Sequence, residues 1–309
     1  MPERKHRPRV VVVGDLVVDV VLAPAMELET GTDVPGRVML RQGGSATTTA
    51  RWLGRGGARV SLIASVGRDA VGRALVKTIR GDGVTPRVVR IAGQPTGRVG
   101  VFVAPGGERS FVQDRAAALR LAPEHLREEW FASAELVHVP TYSLLDHPLG
   151  EAGRRAAELA HAAGALVTVD LSSAGPLLAL GRRGAIEVVL GAQPDLLFAA
   201  GTEARALGSS DKELLDVAPI VVLKRGPQGA TLLFRDGTAV RTFEVAARAV
   251  AASDTTGAGD AFDAGFILGW LAARRDCASI GAGLRRAALA GNRIATRQLL
   301  RPRKELAFG

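Results

Sequence analysis

The run Asp254-Thr255-Thr256-Gly257-Ala258-Gly259-Asp260-Ala261-Phe262, followed by an apolar stretch from Asp263 to Leu271, has the residue types of an anion-handling loop that opens a helix. Small residues at 257–259 let backbone N–H groups turn toward one point, and the positive end of the helix dipole adds to the pull on an anion. Asp260 then stands where a phosphate would be drawn in. A carboxylate repels phosphate, so it is poor design for anion binding alone. It makes sense if it must take a proton from an attacking hydroxyl. An isolated Gly-Ala-Gly-Asp reads more simply as a glycine-rich turn with an Asp helix cap.

A second glycine-rich element lies far upstream. Gly43-Gly44-Ser45-Ala46-Thr47-Thr48-Thr49-Ala50 runs through Arg51-Trp52-Leu53-Gly54 into the segment from Val60 to Gly72. The two elements, in this order, resemble the paired signatures of the ribokinase-like (PfkB) carbohydrate kinase family. The resemblance covers most of the chain. Gly14 to Asp19 is similar to the family's opening strand and sugar-binding Asp, Pro95-Thr96-Gly97 to the start of its lid strand, and Val222-Leu223-Lys224-Arg225-Gly226 to its nucleotide-side strand. It implies a ribokinase-like three-layer α/β fold: a central, mostly parallel sheet with helices on both faces, plus a small β-sheet lid. The whole chain, 1–309, would be a single domain, with the lid formed by about 20–42 and 95–115.

The resemblance also implies a reaction, the ATP- and Mg²⁺-dependent transfer of a γ-phosphoryl group to a hydroxyl of a small carbohydrate. Asp260 would be the general base, and the N–H groups of Gly257, Ala258, Gly259 and Asp260 the anion hole. Asp19 would bind sugar hydroxyls, Gly43 and Gly44 would allow close backbone approach, and Thr48 stands where relatives commonly carry Asn. Period-2 alternation puts Val99 and Val101 on one face of the lid, with Arg98 and Gly100 on the other. Lys224, Gly226, Thr256, Gly257 and Gly259 would border the nucleotide, with Asn292 in a late helix beside the adenine. Glu203 would act on Mg²⁺ through water. Two of these have plainer readings: Asp19 as a strand-end turn residue and Lys224 as a solvated strand-end lysine.

Several positions depart from the family's pattern. Besides Thr48, Ala116-Ala117-Ala118 replaces a common Gly-Ala-Asn, and Ala200-Gly201-Thr202-Glu203 replaces Asn-x-x-Glu. Leu300-Arg301-Pro302-Arg303 stands where relatives often have Pro-Gly, which puts a monovalent-cation (K⁺) loop in doubt. An unusual sugar, a nucleoside acceptor, or a diverged member that binds without turnover all remain open. A homodimer through the lid is expected.

The elements that must position these residues show in the alternation of short β-branched runs with longer amphipathic ones, the pattern of an α/β sheet. Strands are predicted at Arg9 to Val13, Arg59 to Ile63, Leu136 to Val139, Leu166 to Val169, Leu196 to Ala199, Ile220 to Leu223 and Thr231 to Phe234. Helices are predicted at Thr47 to Arg55, Ala70 to Ile79, Gly150 to Ala163 and Gly259 to Ala273. Arg98 to Val103 and Arg109 to Val112 flank Pro105-Gly106-Gly107-Glu108 as a hairpin.

Composition excludes other classes. With 47% hydrophobic and 4% aromatic residues in 309, the core is aliphatic. The single Cys277 forbids an intramolecular disulfide framework. The apolar run Val10 to Val13 stops at Gly14-Asp15, too short for a signal sequence or membrane span, so a cytoplasmic protein without membrane partners is expected. A net charge of +9 and pI near 10.8 suggest nucleic acid, yet the arginines are scattered without aromatic-basic stripes, and no nucleic-acid partner is expected. No Gly-x-x-x-x-Gly-Lys-Ser/Thr run exists, and a dinucleotide fingerprint on Gly257-Ala258-Gly259 would need glycine at Phe262. Cys277 and the histidines lack metal-ligand spacing.

Overall fold

The apolar runs fall side by side in one large sheet. The computed structural model describes residues 6–208, 210–252, 254–277, 279–301 and 303–308. Its strands in chain order are β1 (Arg9–Val13), β2 (Val17–Pro24), β3 (Gly36–Gly43), β4 (Arg59–Gly67), β5 (Val84–Ile91), β6 (Arg98–Val103) and β7 (Arg109–Asp114). They continue with β8 (Leu136–Pro140), β9 (Leu166–Asp170), β10 (Leu196–Ala200), β11 (Ile220–Lys224), β12 (Ala230–Asp236) and β13 (Ala239–Val245). A nine-stranded sheet has the order β13-β12-β11-β10-β9-β8-β1-β4-β5. Every pairing from β11 to β5 is parallel, and β12 and β13 finish one edge antiparallel.

Helices on both faces explain why β1 is apolar throughout. Val10 and Val12 belong to the core cluster that holds Ala46, Ala50 and Leu53 of the helix Ser45–Arg55, which lies against β1, whereas Val11 and Val13 belong to a second cluster with Leu149 and Ala156 of the helix Leu149–Ala162. A strand covered on both sides favours apolar residues on both faces. Among the described residues no helix is long and apolar enough to cross a membrane.

Strand order reverses at β1, whose neighbours are β4 on one side and β8 on the other. At such a switch point the loops leaving the carboxyl ends diverge and open a crevice. A separate four-stranded sheet, ordered β3-β2-β6-β7, contributes to that crevice. Its register aligns Asp19 with Val99 and Val99 with Gln113, so these three side chains share a face. Leu22 and Val38, paired across β2 and β3, lie on the opposite face. That face leaves Val38 69% and Val112 76% exposed. The hairpin expected over 98–112 is β6 and β7, with Gly107 at φ 91° in its turn.

Candidate active site

Two helix starts meet at the crevice. Gly44 precedes the helix Ser45–Arg55, and Gly257, in the left-handed region at φ 76°, precedes Ala258–Asp276. The left-handed conformation favours glycine at 257, and a Cβ there would sit tightly, 3.0 Å from Thr48 Cγ2. Ser45 Oγ donates to Asp260 Oδ1 at 2.6 Å, tying the first turns together. Burial is the main influence on Asp260 and pushes its carboxyl up to about 7. The Ser45 hydrogen bond and Lys224 pull it down, while Asp170 and Asp15 add to the rise. A carboxyl in that range is divided between acid and base at neutral pH, as proton abstraction requires.

A cavity of about 490 Å³ holds this carboxylate. The carboxyl ends of the parallel strands supply Asp15, Asp170, Ala200 and Lys224, and the smaller sheet supplies Asp19, Val99 and Gln113. Asp19 lies inside β2, not in a strand-end turn, and accepts a 2.6 Å bond from Arg303 Nη1. Burial raises its pKa, and Arg303 only partly offsets this. A Cβ on Gly43 would overlap the Asp19 carboxylate, which is the close approach that position needs. Asp15 Oδ1 accepts from Ala46 N–H at 3.2 Å and so faces the start of the first helix.

A neighbouring cavity of about 230 Å³ shares Lys224, Gly226 and Gly259 with the first and is otherwise walled by groups such as Phe262, Val250, Leu299 and Asn292. The glycine N–H groups thus stand between a polar cavity and an apolar, ring-sized one. Such an arrangement suits a phosphate between a polyhydroxy ligand and a flat ring. Asn292 Nδ2 donates to Ala246 O at 3.1 Å. Ala258 borders this smaller cavity, and its N–H donates to Thr255 O at 3.2 Å.

Beneath Asp260 lies a buried ionic network. Lys224 Nζ donates to Asp170 Oδ1 at 2.6 Å and to Asp263 Oδ2 at 3.2 Å. Burial would lower the Lys224 pKa, but Asp170, Asp263 and Glu203 outweigh it and leave the ammonium above the usual lysine range. Burial, then Asp170, raises both Asp263 and Glu203. Glu203 Oε2 accepts from Ala200 N–H at 2.6 Å, capping the helix Gly201–Leu207. Glu203 also lines the larger cavity. Among the described residues no three such side chains could cage an ion. The Glu203 carboxylate in the cavity lining is an oxygen donor of the kind that would suit a Mg²⁺ that keeps its waters and arrives on a phosphate ligand.

The family model described as pfkB family carbohydrate kinase matches residues 7–302. The chain belongs to that family. The fructokinase of Klebsiella pneumoniae is 29% identical over 84% of this chain and 83% of its own. The ATP-dependent ribose-1-phosphate kinase of Halopiger xanaduensis is 32% identical over 74% of this chain and 73% of its own. Among solved structures, the adenosine kinase from Sinorhizobium meliloti superposes with a TM-score of 0.81 at 25% identity, covering 98% of this chain and 97% of that one. As a pfkB-family kinase, the protein is a phosphotransferase acting on a sugar hydroxyl.

The pfkB crevice gathers Asp19, Gly43, Gly44, Thr48, Val99, Glu203, Lys224, Gly226, Thr256, Gly257, Gly259 and Asp260 around one cavity. Val101 shares Val99's face but packs against Val21 and Met39 instead of lining it. Thr48 turns its hydroxyl back to Gly44 O at 2.9 Å. Lys224, its side chain 14% exposed, is half-buried and ion-paired with Asp170 instead of solvated. Sequence reading overlooked Ser45, Asp15, Asp170, Asp263 and Arg303. Asp170 carried a signal as the lone acid of an apolar strand, and Asp263 one as a second acid three residues after Asp260 in an otherwise apolar helix start; Arg303 carried none. That arginine and its neighbours bear on the K⁺ loop. Asp254 receives Arg41 Nη1 at 3.1 Å, Arg109 Nη2 at 3.1 Å and Arg303 Nε at 3.2 Å. Pro302 of the same segment lies outside the described residues.

Proposed function

We propose that this pfkB-family kinase transfers the γ-phosphoryl group of ATP to a hydroxyl of a small carbohydrate bound in the 490 Å³ cavity. The observation that carries this reading is the Asp260 carboxylate, held by Ser45 and raised to about 7, where the polar and the ring-sized cavities meet. Asp19 orients the sugar, and Asp260 takes the proton of the attacking hydroxyl. The hydroxyl oxygen bonds to the γ-phosphorus as the bond to the bridging oxygen breaks, releasing ADP. Charge on the phosphoryl oxygens is met by the Gly257 and Gly259 N–H groups and the helix dipole, an arrangement that needs no reorganisation during reaction. ATP as donor accords with the apolar smaller cavity and with the ATP-dependent relative from Halopiger xanaduensis. Mg²⁺ would neutralise the phosphates, held through water by Glu203.

Arg41, Arg109 and Arg303 already neutralise Asp254, so we read the reaction as independent of K⁺. The four-stranded sheet serves as the lid, with Val99 and Phe111 toward the substrate. Its outer face, bearing Leu22, Val38 and Val112, pairs with a second copy of the chain.

Polar groups such as Asp15, Asp19, Gln113 and Ser172 in the larger cavity favour a sugar. The rings of Phe111 and Tyr142 in the same lining give a nucleoside base a surface, and the similarity to an adenosine kinase keeps that acceptor as the second reading. An ADP-release screen with ATP and Mg²⁺ across pentoses, hexoses, keto-sugar acids and nucleosides decides. Turnover on a sugar supports the proposal, and a preference for nucleosides shifts the acceptor. No turnover on any compound leaves a binding protein without catalysis.

A further inference from the structure

A third cavity, about 660 Å³ and larger than the two above, opens between the helix Ser45–Arg55 and the end of the helix Ile280–Leu299 with the tail that follows. Its charged lining is of one sign: Arg51, Arg55, Arg297, Arg301, Arg303 and Lys304. Arg51 and Arg55 share the carboxylate of Asp82, and Arg303 leans on Asp19 and Asp254. For Arg297, Arg301 and Lys304 no counter-ion stands among the described residues. Burial, with Arg55 and Arg303 adding to it, holds the Arg51 guanidinium below the usual arginine range despite Asp82. Like charges facing a concavity concentrate anions there, and guanidinium forks match phosphate oxygens in pairs.

The cavity shares no lining residue with the ring-sized one, so it is not a second view of the nucleotide. It does touch the catalytic machinery. Gln298 in its wall donates Nε2 to Thr256 O at 2.8 Å, beside the glycine loop, and accepts from Trp52 Nε1 at 2.9 Å. Arg303 lines both this cavity and the catalytic one and grips Asp19 at 2.6 Å.

We propose that this basic cavity binds a small phosphorylated polyanion, which draws Arg303 from Asp19 and so changes the affinity of the catalytic cavity for its acceptor. Several cations around one bounded space call for more than one phosphate, and the concave shape favours a metabolite over a nucleic-acid strand.

The test is calorimetric titration with inorganic tripolyphosphate while a non-hydrolysable ATP analogue saturates the nucleotide cavity. The parent is compared with Arg297→Glu/Arg301→Glu, two exposed positions outside the catalytic cavity. We expect the parent to bind tripolyphosphate and the variant to bind it about ten-fold more weakly or worse, with analogue affinity unchanged. Equal tripolyphosphate affinity in both proteins overturns the site. Citrate binding as tightly as tripolyphosphate overturns the assignment to phosphate, and a single-stranded oligonucleotide binding more tightly overturns the assignment to a small molecule. At fixed free Mg²⁺ and ionic strength, tripolyphosphate should shift acceptor KM in the parent and not in the variant; binding without that shift overturns the coupling. The binding arm stands whether or not the phosphoryl-transfer reading does.

Discussion

Replacing Asp260 by Asn should abolish turnover and, at the same time, stabilise the fold. Asn keeps an oxygen to accept from Ser45 Oγ, which now bonds Asp260 Oδ1 at 2.6 Å, but it cannot take a proton. Loss of general-base assistance costs on the order of 10²- to 10⁴-fold in rate. The stability effect follows from the raised carboxyl. Unfolded, this group titrates near 3.8; folded, it holds its proton up to about 7. Between those values the folded state binds more protons, so stability falls as pH rises through that window and the loss is complete above it. Taken at face value the difference is worth up to about 4 kcal/mol, a ceiling that water in the cavity reduces. Asn has no such penalty. Denaturant melts of parent and variant should therefore diverge in the variant's favour from acid toward pH 8, while ADP release falls to background. In the parent, kcat/KM should drop about tenfold per pH unit below about 7, as the base protonates. A variant that keeps more than about half the parent rate would refute the assigned role, since base assistance is worth far more than that. Melts that stay parallel across the pH range would refute the claim that Asp260 is strained by burial.

Gly257→Val must hold a β-branched residue at φ 76° with its Cβ 3.0 Å from Thr48 Cγ2, so phosphoryl transfer should collapse in folded protein; unchanged ATP affinity and rate would show the loop to be only a turn. Ala200→Asn should lower, and Glu203→Gln raise, the free Mg²⁺ giving half-maximal rate at fixed MgATP, with Gln still able to cap Ala200 N–H. If neither moves the midpoint, this segment does not organise the metal. Exchanging KCl for NaCl at constant ionic strength should leave the parent rate unchanged, whereas Arg303→Ser, which strips one guanidinium from Asp254, should create a K⁺ response; clear K⁺ stimulation of the parent counts against the built-in cation. Val38→Glu/Val112→Glu on the outer face of the smaller sheet should give a monomer by light scattering, with a melting temperature that no longer depends on protein concentration. A parent that is itself monomeric removes the pairing proposal.

What the sequence made legible is what burial writes locally. β10 is a continuous apolar run, β1 one after its first residue, and β8, β9 and β11 are nearly so, because helices cover both faces, and their starts can be read from composition. β5 and β13 escaped because each is an edge strand. Val84–Ile91 carries Pro86 and two arginines, and Ala239–Val245 is largely exposed, so neither shows the burial pattern of a core strand. β2 and β3 pair with each other and with β6, away from the main core, and only the family resemblance pointed to them.

In the catalytic cavity the same division separates backbone from charge. Gly257 and Gly259 are legible because a loop that turns its N–H groups inward needs small residues at consecutive positions, a demand met within one turn of chain. The groups that set the protonation of Asp260 are not. Ser45 reaches it across 215 positions, and Lys224 finds Asp170 and Asp263 at separations of 54 and 39. No local rule couples such residues; the parallel sheet does so by delivering every strand's carboxyl end to one crevice. Arg303 carries the point furthest. In sequence it is a departure from a Pro-Gly motif, grounds for doubting a cation loop. In the fold its guanidinium bridges Asp254 and Asp19, 284 positions away, so on the proposed reading a fixed positive charge would stand where a mobile one was expected, tied to the carboxylate that would orient the sugar. Losing a motif residue therefore need not mean losing the electrostatic function it served. Whether it did turns on which acid the new side chain reaches.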